Sequence, residues 1–163
     1  MSELTNSLKQ ADIFYQFTPT QLEMVANICK ERTYDQGEAI VEEGAKSNEL
    51  YVIMRGEVDV LVNPTVVRGQ EKPKDLVVIT TLRRGQSFGE VALVDEGLRS
   101  ATVRAVQKDT QLLVIPRDKL IRLCETDPQL GYRLMYNLSA DLAMKIRNTD
   151  LRIRDALLYG EMK

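Results

Sequence analysis

RGQSFGEVALVDEGLRSATVRA, residues Arg84 to Ala105, is the stretch on which the reading of this chain turns. Gly85 closes one strand-like run, and Phe88-Gly89-Glu90 leads into a short helical turn over Val91 to Val94. Gly97 breaks that turn, and Arg99-Ser100-Ala101 opens the next strand. A helical turn just after a glycine presents backbone N–H groups with no partner inside the helix, which is an anion site in waiting. Gly89 carries no side chain to hold a ligand away from the backbone. Arg99, at the end of the loop, folds back over the same amides, and its planar fork matches two phosphate oxygens. Glu90 offers two acceptor oxygens of the kind that hold a sugar hydroxyl. An anion clamp beside a hydroxyl acceptor describes a ribose phosphate. Residue types alone leave a plainer account open: Glu90 complements the dipole of a first helical turn, and Arg99 pairs with Asp95 or Glu96 on the surface.

On both sides of this stretch the texture is that of short strands. Apolar runs at Ala39–Val41, Leu50–Met54, Val58–Val62, Leu76–Leu82, Ala101–Val106 and Gln111–Ile115 are punctuated by Gly37, Gly44, Gly56 and Gly85. Strands of this length with glycine between them predict an all-β sandwich or barrel. Met54-Arg55-Gly56-Glu57 reads as a tight reversal, and Asn63 to Asp75, with two prolines and several charges, as a long hairpin tip.

Helices are expected outside the strands. Leu4 to Lys30 reads as helical, with Thr18-Pro19 as a cap and first-turn proline. Pro116 closes the last strand, Arg117 to Cys124 forms a short helix, and Asp127-Pro128 starts a long one running to about Leu158. At 1.5 Å per residue that is a rod of about 45 Å, longer than so small a core can cover. Met135, Leu142, Thr149 and Ala156 fall seven apart, with Ser139, Ile146 and Ile153 in the complementary seam, an imperfect heptad that predicts a parallel homodimer. Leu130, Leu134 and Leu138 offer the competing possibility of packing back on the β domain, and the two can hold in different halves of the helix.

Composition narrows the function. The 163 residues suit a single domain, with 44% hydrophobic and 28% charged residues and a net charge of −2. With no histidine, Ser-His-Asp and Cys-His catalysis and the commonest zinc ligand are gone. Cys29 and Cys124 stand far apart and read as two reduced thiols. No apolar run approaches the length of a membrane span or resembles a signal peptide, so a cytoplasmic protein is expected.

Phe88-Gly-Glu-Val-Ala-Leu followed by Arg99-Ser-Ala-Thr-Val resembles the phosphate-binding cassette of the cyclic-nucleotide-binding superfamily, which includes the catabolite activator protein, the regulatory subunit of protein kinase A and nucleotide-gated channels. The resemblance covers most of the chain, through Gly37-Glu38-Ala39-Ile40, Glu43-Gly44, Tyr51 to Gly56 and Gly85. It implies one domain: N-terminal helices over 1–32, an antiparallel, jelly-roll-like β-roll of about eight strands over 33–116 with the cassette at 84–105, and C-terminal helices over 117–163. It implies that Glu90 holds the ribose 2′-hydroxyl and Arg99 neutralises the cyclic phosphate, helped by the amides of Gly89 and Ala101 and the hydroxyl of Ser100. Phe88, Val91, Ala92 and Val103 complete the ligand-contacting set. The ligand is expected to be cAMP, with cGMP as the other candidate because a hydroxyl such as Ser100 helps recognise guanine. No further cofactor and no catalytic residues are expected.

Leu138-Ser-Ala-Asp-Leu-Ala is similar to the start of the activator's dimer helix, and that register puts Thr149 where a threonine contacts the adenine amine. Asp150 falls where the activator has a serine reaching in from the other subunit, and departs from the pattern. Lys145, Arg147, Arg152 and Arg154 alternate with Asp150 and Asp155, which reads as a solvated helix face and not a DNA-reading one. With no helix-turn-helix segment before Lys163, the expectation is a stand-alone regulatory module acting on a protein partner of unknown identity. The alternatives are the sensor half of a truncated transcription regulator and a dimeric interaction domain that senses nothing.

Overall fold

A computed structural model describes residues 2–64, 75–95 and 97–160. Eight strands lie among them: β1 (Lys30–Tyr34), β2 (Ala39–Val41), β3 (Leu50–Arg55), β4 (Glu57–Val62), β5 (Val77–Arg83), β6 (Ser87–Phe88), β7 (Thr102–Ala105) and β8 (Thr110–Ile115). They form two antiparallel four-stranded sheets, ordered β1-β8-β3-β6 and β2-β7-β4-β5, a jelly-roll-like β-roll. The turn at Gly56 carries the chain from the first sheet to the second. β4 and β5 are antiparallel partners from Glu57↔Arg83 to Val62↔Val77, as a hairpin requires. The expected tip over 63–75 lies, for residues 65–74, outside the described residues.

Side chains alternate between the two faces of a strand. In β3 and β8 every second residue serves a different core. Leu50, Val52, Leu113 and Ile115 face the helices, whereas Tyr51, Ile53, Leu112 and Val114 face the other sheet. The cross-strand pairs Leu50↔Ile115 and Tyr51↔Val114 keep each set on its own side. The inner strands β3 and β8 are therefore covered on both faces, which is why they read as apolar runs.

β1 corrects the expected boundary at residue 33, since Lys30 to Arg32 already pair with β8. Its sequence, KERTY, is exposed at four of five positions. Such a charged edge strand has no apolar alternation to announce it. The N-terminal segment is likewise not one helix. α1 (Glu3–Lys9), a 3-10 turn over Asp12–Phe14 and α2 (Pro19–Ala26) divide it. Thr18 caps α2 in a reciprocal capping box with Gln21, and Asp127 accepts from the Leu130 amide at 3.1 Å, so both expected cap-proline starts are present.

α3 (Glu90–Asp95) follows β6, and α4 (Arg117–Thr126) leads into α5 (Pro128–Tyr159). Gly131 lets α4 and α5 touch, because a Cβ there would meet the Cys124 carbonyl oxygen at 2.9 Å. Leu130, Leu134 and Leu138 are buried in the core that the N-terminal helices and α4 share with the helix-facing side of β3 and β8, and Met135 packs at the edge of the same core. Beyond Leu142 the helix leaves the helix-facing core: Met144, Ile146, Leu151, Ile153 and Leu157 are exposed. Ser139 and Thr149, the polar seam residues, bond back to the Met135 and Lys145 carbonyls. No helix of the described residues is long and apolar enough to cross a membrane.

Candidate functional site

A cavity of about 840 Å³ opens between the second sheet, the β6–α3 corner and α5. Ten of the eleven sequence-designated residues border it: Phe88, Gly89, Glu90, Val91, Ala92, Arg99, Ser100, Ala101, Val103 and Thr149. Asp150 is exposed and does not line it.

Arg99 is 6% exposed, not a surface ion-pair residue. Its Nε donates to Ser47 Oγ at 2.9 Å, one terminal nitrogen to the Glu49 carbonyl at 2.8 Å, and the other to the Gly89 carbonyl at 3.5 Å. The Glu49 carboxylate lies 3.8 Å away, and the guanidinium sits 5.9 Å from the centre of the Tyr51 ring. The plainer account, in which Arg99 pairs with Asp95 on the surface, is not what the fold produces; Glu96 lies outside the described residues. A guanidinium has five N–H donors. Three are used, leaving one on each terminal nitrogen without a hydrogen bond among the described residues.

Gly89 is required by its own chain. Its φ is +90°, and a Cβ would lie 2.7 Å from the Glu49 carbonyl oxygen and 2.9 Å from an Arg99 terminal nitrogen. The close approach expected for a ligand is thus first an approach of the cassette to β3. Phe88 borders the cavity but sends its ring into the inter-sheet core, stacked on Tyr51 at 4.8 Å. Burial, with the Glu49 charge adding to it, pushes the Tyr51 phenol up to about 12.

Glu90 is 5% exposed. One of its oxygens accepts from Lys145 Nζ at 2.7 Å, and Oε2 has no hydrogen-bond partner among the described residues. Nζ also donates to the Ser87 carbonyl at 3.0 Å and lies 2.9 Å from Asp141 Oδ2, an ionic contact without hydrogen-bond alignment. Burial pulls the Lys145 pKa down, but the charge and hydrogen bond of Glu90, followed by Asp141, push it up on balance. Asp12 faces the same cluster; desolvation, then the Asp141 charge, raises its pKa, against a lowering by Lys145. One end of the cavity is therefore cationic at Arg99. The other holds a buried carboxylate with one oxygen unengaged.

Lys145 is a correction to the expected solvated helix face; Arg152 stays exposed on it, with its guanidinium donating to the Ile79 carbonyl. Sequence reasoning also missed the second-sheet wall of Val41, Val60 and Leu82, and the α5 residues Tyr136, Asp141 and Asn148. The Asp141–Lys145 spacing of four was a visible signal for a pair on one helix face. What it faced was not visible.

Residues 31–127 match the family model described as cyclic nucleotide-binding domain. The cyclic AMP receptor protein of Thermus thermophilus is 31% identical over 156 residues, covering 96% of this chain and 66% of that protein. Mouse cGMP-dependent protein kinase 2 is 28% identical over 116 residues, 71% of this chain and 14% of the kinase. The crystal structure of the Thermus thermophilus catabolite activator protein aligns at 29% identity with a TM-score of 0.73, covering 91% of this chain and 64% of that one. The chain thus spans just under two thirds of the receptor protein's length and a small part of the kinase's.

Proposed function

Because the chain belongs to the cyclic nucleotide-binding domain family, we propose that it is a cytoplasmic cAMP sensor without a catalytic step of its own, with cGMP as the competing ligand. One observation carries this reading: two buried groups of opposite demand, Arg99 with two unengaged N–H donors and Glu90 with an unengaged oxygen, border one cavity. Arg99 with Ser100 takes the cyclic phosphate, Glu90 takes the ribose 2′-hydroxyl, and Thr149 on α5 receives the base. A ligand that touches both the cassette and α5 shifts the population toward the arrangement in which the two are held together.

The second half of α5 is the proposed output. Ile146, at 62% exposure, and Ile153 stand on one side of the helix at heptad spacing, and pairing with a second copy covers them. Asp150, away from its own cavity, then reaches toward the partner's ligand. Titration calorimetry of the purified chain with cAMP, cGMP and a cyclic dinucleotide tests the ligand, and sedimentation with and without the tightest binder tests the pairing. Absence of binding by all three leaves a dimeric interaction domain as the remaining reading. With no tryptophan and six tyrosines in the chain, co-purified nucleotide is visible as a raised ratio of absorbance at 260 to 280 nm.

A further inference from the structure

Further along α5 than the contact with Glu90, two neighbouring residues present opposite hydrogen-bonding faces to the cavity. Thr149 and Arg152, three apart on the helix, both border it together with Ile79 and Thr80 of β5. Arg152 lies about 10 Å of helix beyond the Lys145 that meets Glu90. The Thr149 hydroxyl donates to the Lys145 carbonyl at 2.9 Å. Its single hydrogen is thereby engaged, so toward the cavity it acts as an acceptor. The Arg152 guanidinium is a donor with no acceptor capacity. One terminal nitrogen donates to the Ile79 carbonyl and the other, at 3.5 Å, to the Thr80 hydroxyl. Its remaining N–H groups have no hydrogen-bond partner among the described residues, and it forms no ion pair there. The side chain is exposed, so a ligand meets it without any core being unpacked.

These two demands select between purines at position 6. A 6-amino group, as in adenine, is a donor and suits the Thr149 oxygen. A 6-oxo group, as in guanine or hypoxanthine, is an acceptor, and with N7 it forms the two-acceptor edge that a guanidinium fork grips. An amine turned toward Arg152 sets donor against donor.

We propose that Arg152 is a specificity-determining residue for the base: it favours a 6-oxopurine, and against the 6-amino preference of Thr149 it keeps cGMP a competitor of cAMP at one site. This rests on the reading that a nucleotide base lies against α5 at Thr149. The cyclic phosphate and the ribose are the same in all these ligands, so any effect of the Arg152 charge on the phosphate cancels in the ratio of their affinities.

Titration calorimetry of wild type, Arg152→Met and Arg152→Gln with cAMP, cGMP and cyclic inosine monophosphate tests this, each variant's fold being checked by thermal melts. The inosine nucleotide keeps the 6-oxygen and lacks the 2-amino group of guanine, so it isolates position 6. Arg152→Met should weaken cGMP and the inosine nucleotide by about 5- to 30-fold while changing cAMP by less than about threefold. Arg152→Gln, whose amide pairs with an amino-and-N7 edge, should shift the ratio toward cAMP at least as far. Affinity ratios that stay within about twofold of wild type in both variants overturn the specificity role and leave the sensor reading intact. So does a wild type that rejects both 6-oxopurine nucleotides by more than about a hundredfold relative to cAMP. A wild type that binds none of the three overturns the sensor reading itself, and the role of Arg152 with it.

Discussion

Replacing Arg99 by alanine separates what this side chain does for the fold from what it does for the ligand. Three of its five N–H donors hold Ser47, Glu49 and Gly89, which ties the loop before β3 to the cassette. Hydrogen bonds to a charged donor contribute about 1.5–3 kcal/mol each, not additively, and the Glu49 ion pair adds little because Glu49 is a third exposed. Arg99→Ala should therefore destabilise the protein by about 2–4 kcal/mol, lowering Tm by about 5–15 °C. The two remaining N–H groups, one on each terminal nitrogen, are the ones available to a phosphate. Removing one partner of a buried charge pair costs about 2–5 kcal/mol of affinity, a weakening of about 30-fold to several thousandfold. Arg99→Lys keeps the charge, but a single ammonium cannot hold Ser47, Glu49 and a phosphate together, and a loss of at least about tenfold is expected. Thermal melts establish that each variant is folded at 25 °C, and calorimetry with cAMP then reads the affinity. A folded Arg99→Ala variant that binds cAMP within about threefold of wild type would refute the site.

Gly89→Ala combines a positive φ with a clash, whereas Gly37→Ala, at φ +81° with nothing within 4 Å of its Cβ, carries the φ cost alone. In urea melts Gly37→Ala should cost about 1–2 kcal/mol and Gly89→Ala about 1–3 kcal/mol more; equal costs would show that β3 does not press on the cassette. The buried Asn137 amide donates to the Ile13 and Tyr15 carbonyls, both at 2.9 Å, so Asn137→Ala should lose about 1–3 kcal/mol in the same melts. Burial pushes the Cys29 thiol up to about 12 and raises Cys124 as well. Both stay protonated at pH 8, and iodoacetamide should alkylate them far more slowly in the native protein than in urea; equal rates would contradict that burial.

Local chemistry made most of the elements legible. β3, β4 and β8 announce themselves because their residues face packed cores, and α2 and α5 because Thr18-Pro19 and Asp127-Pro128 cap them. β1 stayed hidden because an exposed edge strand has no apolar pattern to show. Arg99 and Glu90 were readable because each lies within ten residues of Gly89, in a motif compact enough to be seen as a unit.

Side-chain identity and spacing along the chain thus determined that there is a β-roll, a long capped helix and a guanidinium–carboxylate pair flanking a glycine. Only the tertiary structure decided which α5 residues meet that pair. Lys145, Arg147 and Arg152 look alike as basic residues on one helix, yet the helix's rotation on the core half-buries Lys145 on Glu90, while Arg147 and Arg152 stay exposed, Arg152 with its guanidinium on the Ile79 carbonyl of β5. That rotation is set by Leu130, Leu134 and Leu138 packing against residues from the other end of the chain, a long-range constraint that no local sequence pattern encodes.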